Sequence, residues 1–160
     1  NAIKDRDLDG FKVFCGFEYS CVEGDVIVIL PDRSFIEYKE NTKLKDLAKL
    51  VHKKGGILGV AHMFRDIFSL GYILKRFEKI EEALTFVDFI EVENGRIDED
   101  ANFTALWWAI QNCKAQIKGS DSHSKHEVGE SFTTFLCEIN NEEELIKAIK
   151  ERKMIFNKLP

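Results

Sequence analysis

Ile57-Leu58-Gly59-Val60-Ala61-His62 is the stretch that decides the fold. Five small or apolar residues are too few for a helix, and they end abruptly at a histidine, as a short buried strand does. Immediately upstream, Thr42 opens a helical pattern in which Leu44, Leu47, Ala48 and Val51 share one face, and Gly55-Gly56 closes it. A capped amphipathic helix that runs through paired glycines into a buried strand is one αβ unit. The question is whether the unit recurs.

It recurs in both directions. Upstream, Lys12 to Phe17 reads as a buried strand ending at Glu18, and Asp25 to Leu30 as a second one closed by Pro31-Asp32. Downstream, Ile67 to Phe86 has helical spacing at Ile73, Leu74, Phe77, Ile80 and Leu84, with Gly71 expected to divide it. Val87 to Ile90 is a strand ending in Glu91-Val92-Glu93-Asn94-Gly95-Arg96, and Glu99 to Asn112 a helix. Ala115 to Lys118 leads into Gly119-Ser120-Asp121-Ser122-His123. Phe132 to Ile139 reads as a strand, Asn141 to Glu151 as a helix with Glu144 three residues after its cap, and Met154 to Phe156 as a last strand. Alternation of this kind predicts an α/β chain with a mainly parallel sheet.

The 160 residues suit one domain, 1–160, with 44% apolar residues and a formal charge of −5. That charge, without a clustered basic stripe, speaks against a general nucleic-acid-binding surface. No apolar run reaches membrane-spanning length. Cys15, Cys21, Cys113 and Cys137 lack metal-ligand spacing, so they are expected as small buried residues in a reducing, cytoplasmic setting. The chain opens on Asn1, and the unpatterned run from Ala2 to Gly10 suggests that it begins partway through a longer one.

Hard and imidazole ligands collect at the strand ends. Glu18, His62, Glu91 or Glu93, and Asp121 with His123 each stand at or just past the end of an expected strand. In α/β folds that edge is where sites are built, because the strand ends converge there. Asp oxygen with His nitrogen suits zinc, manganese or iron. Arg65 and Arg96 are nearby cations, which pairing with Asp66 or Asp98 would keep at the surface; His126 is expected to face solvent.

Cys15-Gly16-Phe17-Glu18-Tyr19-Ser20, Val60-Ala61-His62, Ile90-Glu91-Val92-Glu93-Asn94, and Gly119-Ser120-Asp121-Ser122-His123 followed by Val128-Gly129 occur in an order that resembles the PHP (polymerase and histidinol phosphatase) family. The resemblance implies a distorted seven-stranded β/α barrel, TIM-like, incomplete here at its N-terminus, of which this chain forms about three quarters. It implies a phosphoesterase with two or three zinc, manganese or iron ions acting on a phosphomonoester, a nucleotide or a nucleic-acid phosphodiester. Carried over by position, Glu18 bridges two metals, His62 holds one of them, Asp121 holds a metal shared with Glu18, and His123 holds a third. Glu93 is the near-site carboxylate and Glu91 supports the strand end. Glu18, Asp121 and His123 are thereby the expected catalytic set, and the resemblance would make Arg65 and Arg96 the contacts of a substrate phosphate.

The sequence departs from the family pattern in lacking the opening His-x-His pair and the Thr-Asp-His station; its only histidines are His52, His62, His123 and His126. A missing N-terminal segment would supply the first of these. The alternatives are a catalytically reduced PHP module acting in binding or regulation, and a metal hydrolase of amides or lactones. A Ser-His-Asp triad within one turn is disfavoured by geometry.

Overall fold

The computed structural model describes residues 11–66, 69–74 and 77–155. The expected helix start at Ile67, the end of the last strand at Phe156 and the opening run to Gly10 lie outside these residues.

Two strands form a hairpin: β1 (Phe17–Cys21) and β2 (Gly24–Ile29) pair antiparallel, with Cys21 opposite Gly24. The turn between them is only Val22-Glu23, and a connection that short can only reverse the chain. After α1 (Leu44–Lys53), β3 (Ile57–Val60) pairs antiparallel with β2. Two short helices follow, α2 (Leu70–Leu74) and α3 (Phe77–Leu84), with Gly71 inside the first rather than at the division. Then β4 (Phe89–Asn94), α4 (Glu99–Gln111) and β5 (Ala115–Gly119) complete a sheet of order β1-β2-β3-β4-β5, parallel from β3 onward. β6 (Thr134–Phe135), α5 (Glu142–Lys150) and β7 (Met154–Ile155) close the chain, β6 and β7 forming a separate two-stranded ribbon.

The sheet separates two apolar clusters. On one face, Val26, Val28, Leu58, Val60 and Ile90 pack under α1, α3 and α4 through Leu47, Val51, Ile80, Leu84, Ala105 and Trp108. On the other, Ile29, Ile57, Phe89 and Ala115 meet Ile146 and Ile149 of α5 and Met154 of β7. β3 is buried on both faces, which is why it reads as an unbroken apolar run. Gly59 admits the Phe89 ring: a Cβ there would lie 2.1 Å from it.

These features correct the expected barrel. Seven strands are present among the described residues, but they divide into five and two and the larger sheet does not close. Closure would require the outer edges of β1 and β5 to pair with a common staggered register. Instead α5 and the β6–β7 ribbon pack across the open face. The sheet is mixed rather than mainly parallel, because the two-residue turn reverses β2.

Local expectations also shift. Residues 12–16 belong to no strand, and the first strand is the alternating Phe17-Glu18-Tyr19-Ser20-Cys21. The expected strand from Phe132 to Ile139 shrinks to two residues. Thr42 does not cap α1; the N-cap is Lys43, and the carboxylate of Glu23 accepts from Leu44 N at 2.8 Å. The Asn141 cap of α5 holds, its side chain accepting from Glu144 N at 2.9 Å. Cys15, Cys113 and Cys137 are exposed rather than buried, and only Cys21 is sheltered, with burial pushing its thiol up to about 12.

Glu142 ties the entering segment to α5. It is 2% exposed, with Oε1 accepting from Cys15 N at 2.9 Å and Oε2 from Arg33 Nε at 2.8 Å. Burial alone would raise its carboxyl pKa, but the Arg33 guanidinium and the backbone donors outweigh burial and hold it below its usual 4.5. A depressed folded pKa contributes stability above the unfolded value that is lost as pH falls through the folded one. The protein is therefore expected to lose stability below about pH 4.5, and Glu142→Gln to lose about 1–3 kcal/mol at pH 7 with a flatter acid limb. Urea melts at pH 7 and pH 4 would check this; parallel pH profiles for the two proteins would refute it.

Candidate metal centre

One edge of the sheet collects the polar groups. β1, β3, β4 and β5 all end there, and because β2 runs the other way, its first residues lie there too. Glu18, Asp25 and His62 converge at this edge, each with one candidate ligand atom within 4.8 Å of the others. His62 Nε2 lies 3.5 Å from Glu18 Oε2, a charge pairing too long for a good hydrogen bond. The imidazole is 2% exposed, and neither of its ring nitrogens has a hydrogen-bond partner among the described residues. A buried ring with two unsatisfied nitrogens carries a free-energy penalty, and a cation shared with two carboxylates would satisfy one of the two. The donor set, one nitrogen and two carboxylates, fits zinc, manganese or iron.

The surroundings hold this arrangement in place. His62 N donates to Glu91 Oε2 at 2.8 Å, and Asn94 Nδ2 donates to the same oxygen at 3.1 Å and to Asp121 Oδ2 at 3.3 Å. His62 and Asp121 both adopt left-handed φ, 29° and 50°, a conformation that costs energy away from glycine. Charge follows geometry. The neighbouring His62 ring holds Glu18 below its usual carboxylate range, and burial raises Glu91. For His62 itself, burial would lower the pKa, but the Glu18 and Glu91 carboxylates outweigh burial and raise it.

The other expected site residues lie outside this three-residue cluster. Asp121 stands across the Arg65 side chain, Nη1 to Oδ2 3.5 Å. His123 is exposed, its Nδ1 2.8 Å from the carbonyl of Asp121 and its backbone NH donating to Glu127 at 2.6 Å. Arg96 pairs with the same Glu127 at 3.1 Å, so it braces the 123–127 turn and does not pair with Asp98. A register shift between Glu91 and Glu93 separates their fates. Glu91 turns to His62, while Glu93 is held by Lys118 at 2.5 Å and Ser131 at 2.9 Å. His52 pairs with Asp88, 2.9 Å away, and His126 faces solvent.

Two residues carry weight here that the sequence reading gave no role. Asp25 was hidden because a strand was expected at 12–17, leaving a long gap before β2. The strict apolar–polar alternation of Phe17 to Cys21 was the available signal for a half-buried strand, a tight reversal and an Asp returned to the ligand edge. Asn94, buried, links Glu91 to Asp121.

Residues 99–154 match the family model described as PHP-associated (PHP_C), a span of about a third of the chain running from α4 through the Asp121 turn to β7. No curated protein and no solved structure matches. No helix among the described residues is long and apolar enough to cross a membrane. The match over residues 99–154 supports a relationship to the PHP family, although Glu18 stands near the start of β1 rather than at the strand end expected for it.

Proposed function

We propose that this chain provides the metal-binding edge of a metal-dependent phosphoester hydrolase. The observation that carries the reading is His62, buried with both ring nitrogens unsatisfied and facing Glu18 and Asp25. A zinc, manganese or iron ion held by these three would act as a Lewis acid on a phosphoryl oxygen and lower the pKa of a bound water. The chain's own residues do the rest. Glu91 fixes the His62 backbone and Asn94 orients Asp121. Arg65, partly exposed beside Asp25 and Asp121, offers a permanent positive charge for the anionic phosphoryl group. Substrates of this class are phosphomonoesters and nucleotide or nucleic-acid phosphodiesters. Of the two or three ions the resemblance implies, the described residues supply a ligand set for one.

The test is manganese-dependent hydrolysis of p-nitrophenyl phosphate and its bis ester by the natural protein. Asp25→Asn should lower the rate about 100-fold or more without loss of fold, since it removes a charged ligand. Full activity in that variant would defeat the assignment, and amide or lactone turnover in preference to both esters would move the site to another hydrolase class.

A second reading, a binding or regulatory module without hydrolysis, is favoured by one observation: of the four histidines, only His62 enters the cluster among the described residues. Stoichiometric metal binding with no turnover of either ester would select it.

A further inference from the structure

Arg65 enters the site from the loop that follows β3. Its Nη2 is 4.0 Å from Asp25 Oδ2, its Nη1 3.5 Å from Asp121 Oδ2 and its Nε 3.0 Å from Asp66 Oδ2. Asp25 shares the three-residue cluster with Glu18 and His62, whereas Asp121 is not part of it. The guanidinium reaches toward both carboxylates through different nitrogens of one fork, so an ion shared by Asp25 and Asp121 would compete with it for the space between them. Guanidinium cannot be deprotonated at any working pH, so the position stays cationic without a metal.

Resting on the reading that Glu18, Asp25 and His62 hold an ion, we propose that Arg65 is the second cation of the site. It replaces a second divalent ion, so the chain binds one ion rather than two, and a phosphoryl group would be clamped between that ion and the guanidinium. Asp121 then serves chiefly to aim Arg65, itself held by Asn94 Nδ2 at 3.3 Å. This accounts for a carboxylate at the family's metal-ligand position that lies outside the cluster of candidate ligands.

The experiment counts bound Mn²⁺ at saturation, by equilibrium dialysis with paramagnetic resonance of the free ion, for the wild type, Arg65→Gln and Arg65→Ala. One ion per chain is expected in the wild type and two in each variant, with melting curves showing that the variants fold. Two ions in the wild type overturn the inference on that measurement alone. One ion in all three proteins also overturns it, and leaves the metal site standing. A wild type that binds no ion overturns the inference and the proposed function together.

Discussion

His62→Leu is expected to abolish tight metal binding while leaving the ion-free protein as stable as the wild type or more so. Leucine fills a similar volume, so the cavity term is small. It also removes two buried ring nitrogens that have no hydrogen-bond partner among the described residues. Relieving an unsatisfied buried polar group is worth about 1–3 kcal/mol. The ion, in contrast, stabilises only the folded wild type, by about 2.7 kcal/mol when present at 100 times its Kd. For a chain of this size that corresponds to a rise in Tm of about 5–10 °C on adding Mn²⁺. The variant should show no such rise, and its Mn²⁺ affinity should fall by at least about 100-fold. A variant that kept the wild-type shift would show that the imidazole is a core histidine and not a ligand. Site and stability are opposed here, as expected where a fold carries a group that only its ligand satisfies.

Gly24→Ala should be the most damaging single methyl group in the hairpin. Gly24 has φ 131°, a conformation that L side chains rarely adopt, and a Cβ would stand 2.6 Å from Leu70 N and 2.8 Å from its Cα. Both atoms belong to backbone at the start of α2, so relief requires moving an element rather than a rotamer. Strain and overpacking together cost about 3 kcal/mol or more, a fall in Tm of about 10 °C. Because Asp25 follows directly, the variant should also bind Mn²⁺ more weakly than its residual fold would suggest. A loss under about 1 kcal/mol in chemical denaturation would mean that α2 yields freely at Leu70.

Legibility of the fold from sequence was uneven for physical reasons. The αβ rhythm from Leu44 onward was readable because those elements bury full faces: α1 shows its stripe, and β3 its unbroken apolar run. The hairpin was misplaced because Val13-Phe14-Cys15-Gly16-Phe17 is more apolar than the strand itself. Residues 13–16 pair with no strand, and Cys15 N is held by Glu142, a contact 127 residues away that no local pattern encodes. The open sheet was also beyond the sequence, since closure depends on what packs across the far face, and here α5 does. At the site, Glu18 and His62 were legible as polar residues next to apolar runs. Which of Glu91 and Glu93 faces inward depended on a register shift at β4, invisible in a Glu-x-Glu spacing that places both on one side.

The reversal at Val22-Glu23 has a consequence for how the protein can change. Groups of the candidate centre lie on β1 and β2 close to this turn, on the end of β4 and on the segments 61–66 and 120–123, all toward one margin of the sheet. The connections at the opposite margin, 54–56, 85–88 and 112–114, join helices back to strands and carry none of it. Lengthening these should be borne at the modest entropic cost of a longer surface loop. One extra residue between Cys21 and Gly24 should be borne badly. It would uncouple Glu18 from Asp25, take the Glu23 carboxylate from the first turn of α1 and lift Gly24 off α2. Variation between related chains is therefore expected to gather at the margin away from the metal ligands, with the length of the hairpin turn held fixed.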